Sequence, residues 1–433
     1  MLPLVVALVL KHSQSADMET LRSVALDVAS KSCVLAGGVI PGSGTNSTGT
    51  ALHIPGGTQN YYPAFWIRDA AMMLGDDFVP PSEIQGWVKL VASVQPGEAG
   101  LSFSHGLKVP AFSIPDHITL QGAACWYPGA YADQGVGDFG FLPPSDDAFY
   151  FVQMVEEAVR KGGSPMLLKQ KLQAGWGAES LIEICQRAFD SVAVDPGSQL
   201  VSCSADKGKG RVDWGFCDSI TKTGLCLMPS LLRWQAARRL EGLLKLTGDK
   251  AAARKMTQLA RRIQQSVSSV FYHPFPSDEA ILLSASGVGF KADVWASAFA
   301  VWLGILPKDK ETKVARNLLT LVRSGSIVRQ GQVRHIPDVG AWGGNWEQAK
   351  SAPGTYQNGG YWATPTGWLV SAIHKVDPVS ASNLLHEYVE YLRQNRSAGA
   401  PFEWINPDRG LQANANYGSS AVLVYISLKQ AGL

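Results

Sequence analysis

Helix-forming segments follow one another along the whole chain, and the connections between them are either very short or very long. Apolar periodicity predicts helices near Met18–Val34, Trp66–Leu74, Ser82–Val94, Asp146–Lys161, Met166–Val192, Leu225–Thr247, Asp249–Tyr272, Val294–Leu303, Lys310–Val322, Tyr361–His374, Ser380–Gln394 and Ser419–Ala431. Ser82 with Gln85 reads as a capping box, Asp146 as an N-cap, and Gly248 as the break between two long helices. Strand signals are sparse, Ser326–His335 being the clearest. The long connections run roughly over Gly37–Tyr62, Gln95–Ser145, Gly197–Gly224, Gly331–Gly360 and Arg396–Tyr417, and they are rich in Gly, Pro, Trp and Asp. Loops of this length inside a compact domain are usually functional. A helical-hairpin repeat closed into a ring produces this alternation, with short turns on one face and long loops on the other. The expectation is therefore an all-α toroid of about a dozen helices.

The 433 residues would suit two or three domains or one large closed repeat. No stretch between helices resembles a linker, so residues 18–433 are expected to form one domain. Residues 1–17 read as a remnant signal or N-terminal extension. Their apolar run Met1–Leu10 is too short to cross a bilayer, and it has the length of a signal core without the usual basic start. Export, to the periplasm or the medium, and a cytoplasmic location both stay open. No other stretch is long enough to span a membrane.

With 46% apolar and 17% charged residues the composition is globular. A net charge of +2 provides no basic field, which argues against nucleic acid as a partner. The six Cys lack the paired spacing of a zinc site, so buried free thiols are expected, with one or two bridges open. The 13 Trp are the compositional outlier, and their flat apolar faces suit sugar rings as well as a core.

Five loop segments carry candidate chemistry. In Tyr61–Met73, Trp66, Arg68 and Asp69 combine a flat wall with donors and acceptors, although an Asp in a first helical turn also suits the helix dipole. Asp146 and Asp147 are adjacent carboxylates able to split their pKa values, or to cap the next helix. In Arg211–Ser219, Asp213 and Asp218 flank Trp214 and Phe216, whose apolar bulk would raise a carboxyl pKa as a general acid requires. Gly340–Glu347, with Trp342, and Tyr356–Trp362, with Asn358, bring Gly pairs, amides and aromatics together. Glu403 stands between Phe402 and Trp404. A phosphate loop, a Rossmann glycine fingerprint, a His-Glu-x-x-His pair and a nucleophile elbow are all missing from the sequence. Carboxylates in aromatic loops are what remain, and paired carboxylates are the equipment of glycoside hydrolysis.

These motifs resemble the six-hairpin glycosidases, whose catalytic domain is an (α/α)6 barrel. Trp66-Ile-Arg-Asp69 is similar to the first-loop Arg–Asp element with which glucoamylase-like members grip the sugar in the −1 subsite. Asp213-Trp214 resembles the Gly-Asp-Trp region of bacterial α-L-rhamnosidases, with Val212 in place of the Gly. Tyr356-Gln-Asn-Gly-Gly-Tyr-Trp362 resembles the Asn-Gly-Gly-x-Trp element of disaccharide phosphorylases and debranching-type glucosidases. Glu403-Trp-Ile-Asn-Pro-Asp-Arg-Gly410 is similar to the segment of trehalase-like glucosidases that carries the catalytic base, with Ile405 and Arg409 where that pattern has Tyr and Thr.

The resemblance implies an inverting glycoside hydrolase acting on an α-linked glycoside. Glu403 would be the base, and Asp213 the first choice for the acid, ahead of Asp218, Asp147 and Asp69. Trp66, Arg68, Asp69, Asp147, Trp214, Asp218, Trp342, Asn358, Trp362 and Trp404 would bind the carbohydrate partner. No metal and no cofactor is implied. Inversion asks for carboxyl groups roughly 6.5–9.5 Å apart. The alternatives are a glycoside phosphorylase and a non-catalytic sugar-binding toroid.

Overall fold

The computed structural model describes residues 2–57, 62–103, 108–126, 143–203 and 212–433, with side chains in the first helix from residue 14 onward. Tyr61 and Arg211, and most of the second half of the Gln95–Ser145 loop, lie outside the described residues.

Among the described residues there are twelve α-helices: α1 (Leu2–Ser32), α2 (Ile67–Met72), α3 (Pro81–Val94), α4 (Asp147–Gly162), α5 (Leu181–Asp190), α6 (Leu227–Thr247), α7 (Lys250–Val270), α8 (Val294–Leu303), α9 (Lys308–Arg323), α10 (Thr366–His374), α11 (Pro378–Asn395) and α12 (Val422–Gln430). Their composition sorts them into two sets. α8 reads Val-Trp-Ala-Ser-Ala-Phe-Ala-Val-Trp-Leu and buries nearly every side chain, as a helix apolar on all sides must. α10 and α2 are buried in the same way. α7, by contrast, buries only Ala253, Ala260, Ile263 and Val267, one stripe at helical spacing, and gives its Lys, Arg and Gln to water.

The contacts follow this division. Each even-numbered helix packs on the next, from α2 to α4 and onward to α12, while α3, α7 and α11 lie against this inner set. α1 packs on both α11 and α12, which brings the two ends of the chain together. None of these helices is long and apolar enough to cross a membrane.

Three expectations need correction. The chain is mostly helical but not all-α, because its long loops pair into small sheets, the largest with five strands. The segment Met166–Val192 is not one helix: it is a 3₁₀ turn, a hairpin of Lys171–Ala174 with Gly177–Ser180, and then α5. Gly175 and Gly177 sit in that hairpin, and the capping box is Ser180 with Glu183, which restarts the helix. Ser82 caps nothing, since α3 begins at Pro81, whose fixed φ suits a first helical position. Gly248 does end α6, at φ 89°. None of the six cysteines is joined in a disulfide.

The connections leading into even-numbered helices carry the chemistry. The strand Ala64–Trp66 pairs antiparallel with His117–Thr119 and places Trp66 opposite His117. The five-stranded sheet, in the order Val328–Arg329, Gln332–Arg334, Tyr361–Trp362, Phe402–Asn406 and Leu411–Ala415, joins the loop before α10 to the loop before α12.

Candidate active site

Arg68, in the first turn of α2, is buried and serves three carboxylates. Its Nε donates to Asp146 Oδ2 at 3.2 Å, and its Nη2 donates to Asp147 Oδ2 at 3.2 Å and to Asp116. Asp116 in turn holds His117 Nδ1 at 2.8 Å, and the His117 ring stacks on Trp66 with centroids 4.2 Å apart. Burial alone would raise Asp116, but Arg68 and the His117 hydrogen bond outweigh it and keep the carboxyl below its usual range. Burial pushes Asp146 up to about 6, with Arg68 opposing, and pushes Asp147 well above the usual range.

Asp146 occupies the N-cap position of α4, as the sequence suggested, but its side chain makes no capping bond. Its side chain accepts from Arg68 and from the Gly215 amide at 3.1 Å, and so ties α2 to the loop before α6. Gly215 is required there, because a Cβ would lie 1.9 Å from Arg68 Cζ.

Above this floor opens a cleft of about 320 Å³. Trp66, Phe216, Tyr356, Trp362 and Tyr417 form aromatic walls, and three carboxyls line it: Asp69, Asp218 and Glu403. Asp69 accepts from the Tyr417 hydroxyl at 3.0 Å, and burial pushes it up to about 7 against the pull of Arg68.

Asp218 follows a 3₁₀ turn and accepts from Gln357 Nε2 at 3.1 Å. The Gln357 amide is itself oriented, since its Oε1 accepts from the Ser219 amide at 3.0 Å and the Ser219 hydroxyl at 2.6 Å. Burial raises Asp218 to about 6, with the Gln357 bond opposing.

Glu403 projects from the strand Phe402–Asn406. It accepts from the Tyr62 hydroxyl at 3.3 Å and from Asn414 Nδ2, which also donates to the Tyr62 hydroxyl at 3.2 Å. Burial raises Glu403 to about 8; the Asn414 bond lowers it, and Asp69 and Asp218 raise it further. Tyr62, Tyr356 and Asn414 all sit at positive φ, 52°, 46° and 52°, where side chains are rarely tolerated. Such strain concentrates at functional sites. Trp66 lines this cleft, and its indole N–H is buried without a hydrogen-bond partner.

The structure thus brings Trp66, Arg68, Asp69, Asp218, Trp362 and Glu403 together and leaves the other sequence candidates apart. Asp213 does not line the cleft: it is buried behind it, with Oδ2 3.1 Å from Lys222 Nζ. Burial disfavours charge on Lys222, but Asp213 outweighs it and holds the ammonium protonated. Asp147 serves Arg68 from below. Trp214 is core, donating to the Tyr150 hydroxyl at 3.1 Å. Asn358 shapes its own loop, accepting from the Trp346 amide at 3.1 Å and donating to the Ser351 carbonyl at 2.9 Å. Trp342 packs against His273 and Phe275, away from the cleft. Trp404 neighbours Glu403 in the strand, so it points to the other face.

Sequence reasoning missed Asp116 and His117 altogether, and it gave no role of their own to Tyr62, Tyr356, Gln357, Asn414 and Tyr417, although these stand in or beside its candidate segments. The Asp116-His117 doublet in a long loop was a readable signal, since an adjacent carboxylate and imidazole often work as a unit.

No known family profile matches the chain, and no curated protein sequence does. Solved structures match nearly all of it. The glucoamylase of Hormoconis resinae has a TM-score of 0.58 at 14% identity, covering 96% of this chain and 74% of that one. The glucoamylase of Saccharomycopsis fibuligera has a TM-score of 0.56 at 11% identity, covering 97% and 95%. A GH63 mannosylglycerate hydrolase from Thermus thermophilus, solved with glucose, has a TM-score of 0.55 at 11% identity, covering 94% and 99%. At such identities the likeness establishes the fold, which is that of the six-hairpin glycosidases.

Proposed function

We propose that the protein is an inverting glycoside hydrolase acting on an α-linked glycoside, with Asp218 as general acid and Glu403 as general base. The observation that carries this reading is one cleft holding two separately supported, buried carboxyls and an aromatic wall, within a fold shared with glycoside hydrolases. Burial raises both carboxyls above the ordinary carboxylate range, to about 6 for Asp218 and about 8 for Glu403, so in these roles the productive pair, Asp218 protonated and Glu403 ionised, is the minority ionisation state near pH 7. Asp218 takes the acid role given first to Asp213, because Asp213 is occupied by Lys222 and lies outside the cleft.

In this mechanism a sugar ring rests against Trp66 and Trp362. Asp69, oriented by Tyr417, accepts from a sugar hydroxyl. Arg68 holds the floor rigid. Asp218 protonates the leaving oxygen as the glycosidic bond breaks. Tyr62 and Asn414 hold the Glu403 carboxylate in place while it takes a proton from the attacking water.

The cleft composition favours hydrolysis over phosphorolysis. Arg68 is the one cation among its lining residues, and three carboxylates already occupy it. The test is a panel of aryl α- and β-glycosides and natural oligosaccharides, with and without phosphate, alongside Asp218→Asn and Glu403→Gln. Phosphate-independent turnover with inversion of the anomeric centre by NMR, lost in both variants, is the expected result. Turnover that depends on phosphate would reassign the reaction. Saturable sugar binding without turnover, indifferent to both substitutions, would reduce the protein to a binding module.

A further inference from the structure

A second polar cavity, of about 590 Å³, lies on the other face of the five-stranded sheet. Side chains alternate along a strand, so Glu403 lines the cleft while Asn406 lines this cavity, and Trp362 and Tyr361 divide in the same way. Arg329, Arg334 and Arg409 converge on it. Arg329 is paired with Asp408 at 3.4 Å. Arg334 and Arg409 donate to the carbonyls of Gly344, at 3.0 Å, and Pro353, at 2.7 Å, and neither has a carboxylate partner among the described residues.

Three lining atoms are buried without any hydrogen bond: Arg334 Nε, Asp338 Oδ1 and Asn406 Oδ1. Asn406 is only 5% exposed, so water at the surface does not satisfy it. Beneath the two guanidinium groups lie Gly354 and Gly359, at φ 81° and 116°. A Cβ on Gly354 would come within 2.5 Å of Arg409 Cζ, and one on Gly359 within 3.3 Å of Arg334 Nη2.

The unmet Arg334 Nε, beside an Arg409 guanidinium with no carboxylate partner among the described residues, calls for an oxyanion, which guanidinium binds in a fork. Unmet acceptors on Asp338 and Asn406 call for hydroxyls. Inorganic phosphate would answer the first need and set a like charge near Asp338; a neutral sugar would answer only the second. We propose that this cavity binds an acidic sugar, a uronate or a sugar phosphate, with its oxyanion on Arg334 and Arg409 and its hydroxyls on Asn406 and Asp338. The site is separate from the cleft and does not depend on the reaction assigned there.

The experiment is isothermal titration of the full chain with D-glucuronate, D-glucose 6-phosphate, D-glucose and inorganic phosphate. At least one acidic sugar should bind saturably, about tenfold or more tighter than glucose or phosphate. Arg334→Gln and Arg409→Gln should each weaken it by about tenfold, whereas Asp218→Asn should leave it unchanged. Arg409 is exposed, so its variant keeps the fold even where Arg334→Gln does not. Three results would overturn the proposal: no saturable binding of either acid up to about 10 mM, phosphate binding as tightly as both acids, or binding lost with Asp218→Asn and kept in the arginine variants.

Discussion

Replacing Asp218 by Asn should make the protein more stable, and replacing Asp213 by Asn should make it less so, although both are buried aspartates five residues apart. Among the described residues no cation is bonded to Asp218, and burial lifts its pKa from an ordinary 3.8 to about 6. The sign follows from proton linkage. The folded state holds this proton more tightly than the unfolded chain, so the carboxyl costs nothing below about pH 4 and its full penalty is felt above about pH 6. A difference of roughly two pKa units is worth about 3 kcal/mol. Asn is neutral, nearly isosteric and can still accept from Gln357, so it removes that penalty.

Asp213 is the opposite case. Its loss leaves the Lys222 ammonium buried without a counter-charge, which costs about 3–5 kcal/mol. Urea unfolding at pH 8 should show the two shifts with opposite signs. The Asp218→Asn gain should fade as the pH approaches 4. Destabilisation by Asp218→Asn at pH 8, or an Asp213→Asn variant with wild-type stability, would refute the charge states assigned here.

Three further expectations concern the reaction and its floor. The pH profile of kcat/KM should be a bell centred at about 7, with limbs near 6 and 8 from Asp218 and Glu403; a profile flat from about pH 5 to about pH 9 would remove both from the reaction. Asp218→Asn should cost about 10²–10⁴-fold on an alkyl glycoside and far less on a dinitrophenyl glycoside, whose leaving group needs no proton; equal losses on both would remove Asp218 as the acid. Gly215→Ala should displace Arg68, whose contacts with three aspartates lie under the cleft, and lower both Tm and kcat; a variant with unchanged thermal unfolding would show that the Arg68 cluster tolerates the intrusion.

Much of this protein is decided locally. Helical periodicity, the break at Gly248 and the length of the loops are properties of neighbouring residues, and they placed most helices within a few positions. The strand signal at Ser326–His335 became the hairpin of Val328–Arg329 with Gln332–Arg334, but the other short loop strands escaped notice because two- to five-residue pieces acquire their pairing from distant partners, as Tyr361 does from Ile405. Glu403, Arg68 and Asp69 stood out because unusual polar groups among aromatics are visible in a one-dimensional string.

Only the tertiary structure could separate Asp213 from Asp218. Both flank the same aromatic turn, and the difference between them is what lies opposite: Lys222 for one, Gln357 and open cleft for the other. The same holds for Arg68, which the sequence pairs with its neighbour Asp69 but the fold gives to Asp116, Asp146 and Asp147. Local conformation follows from residues close in sequence. Charge state and chemical role follow from what burial brings within a few ångströms, and those neighbours come from loops as far as 352 residues apart, as Tyr62 and Asn414 are.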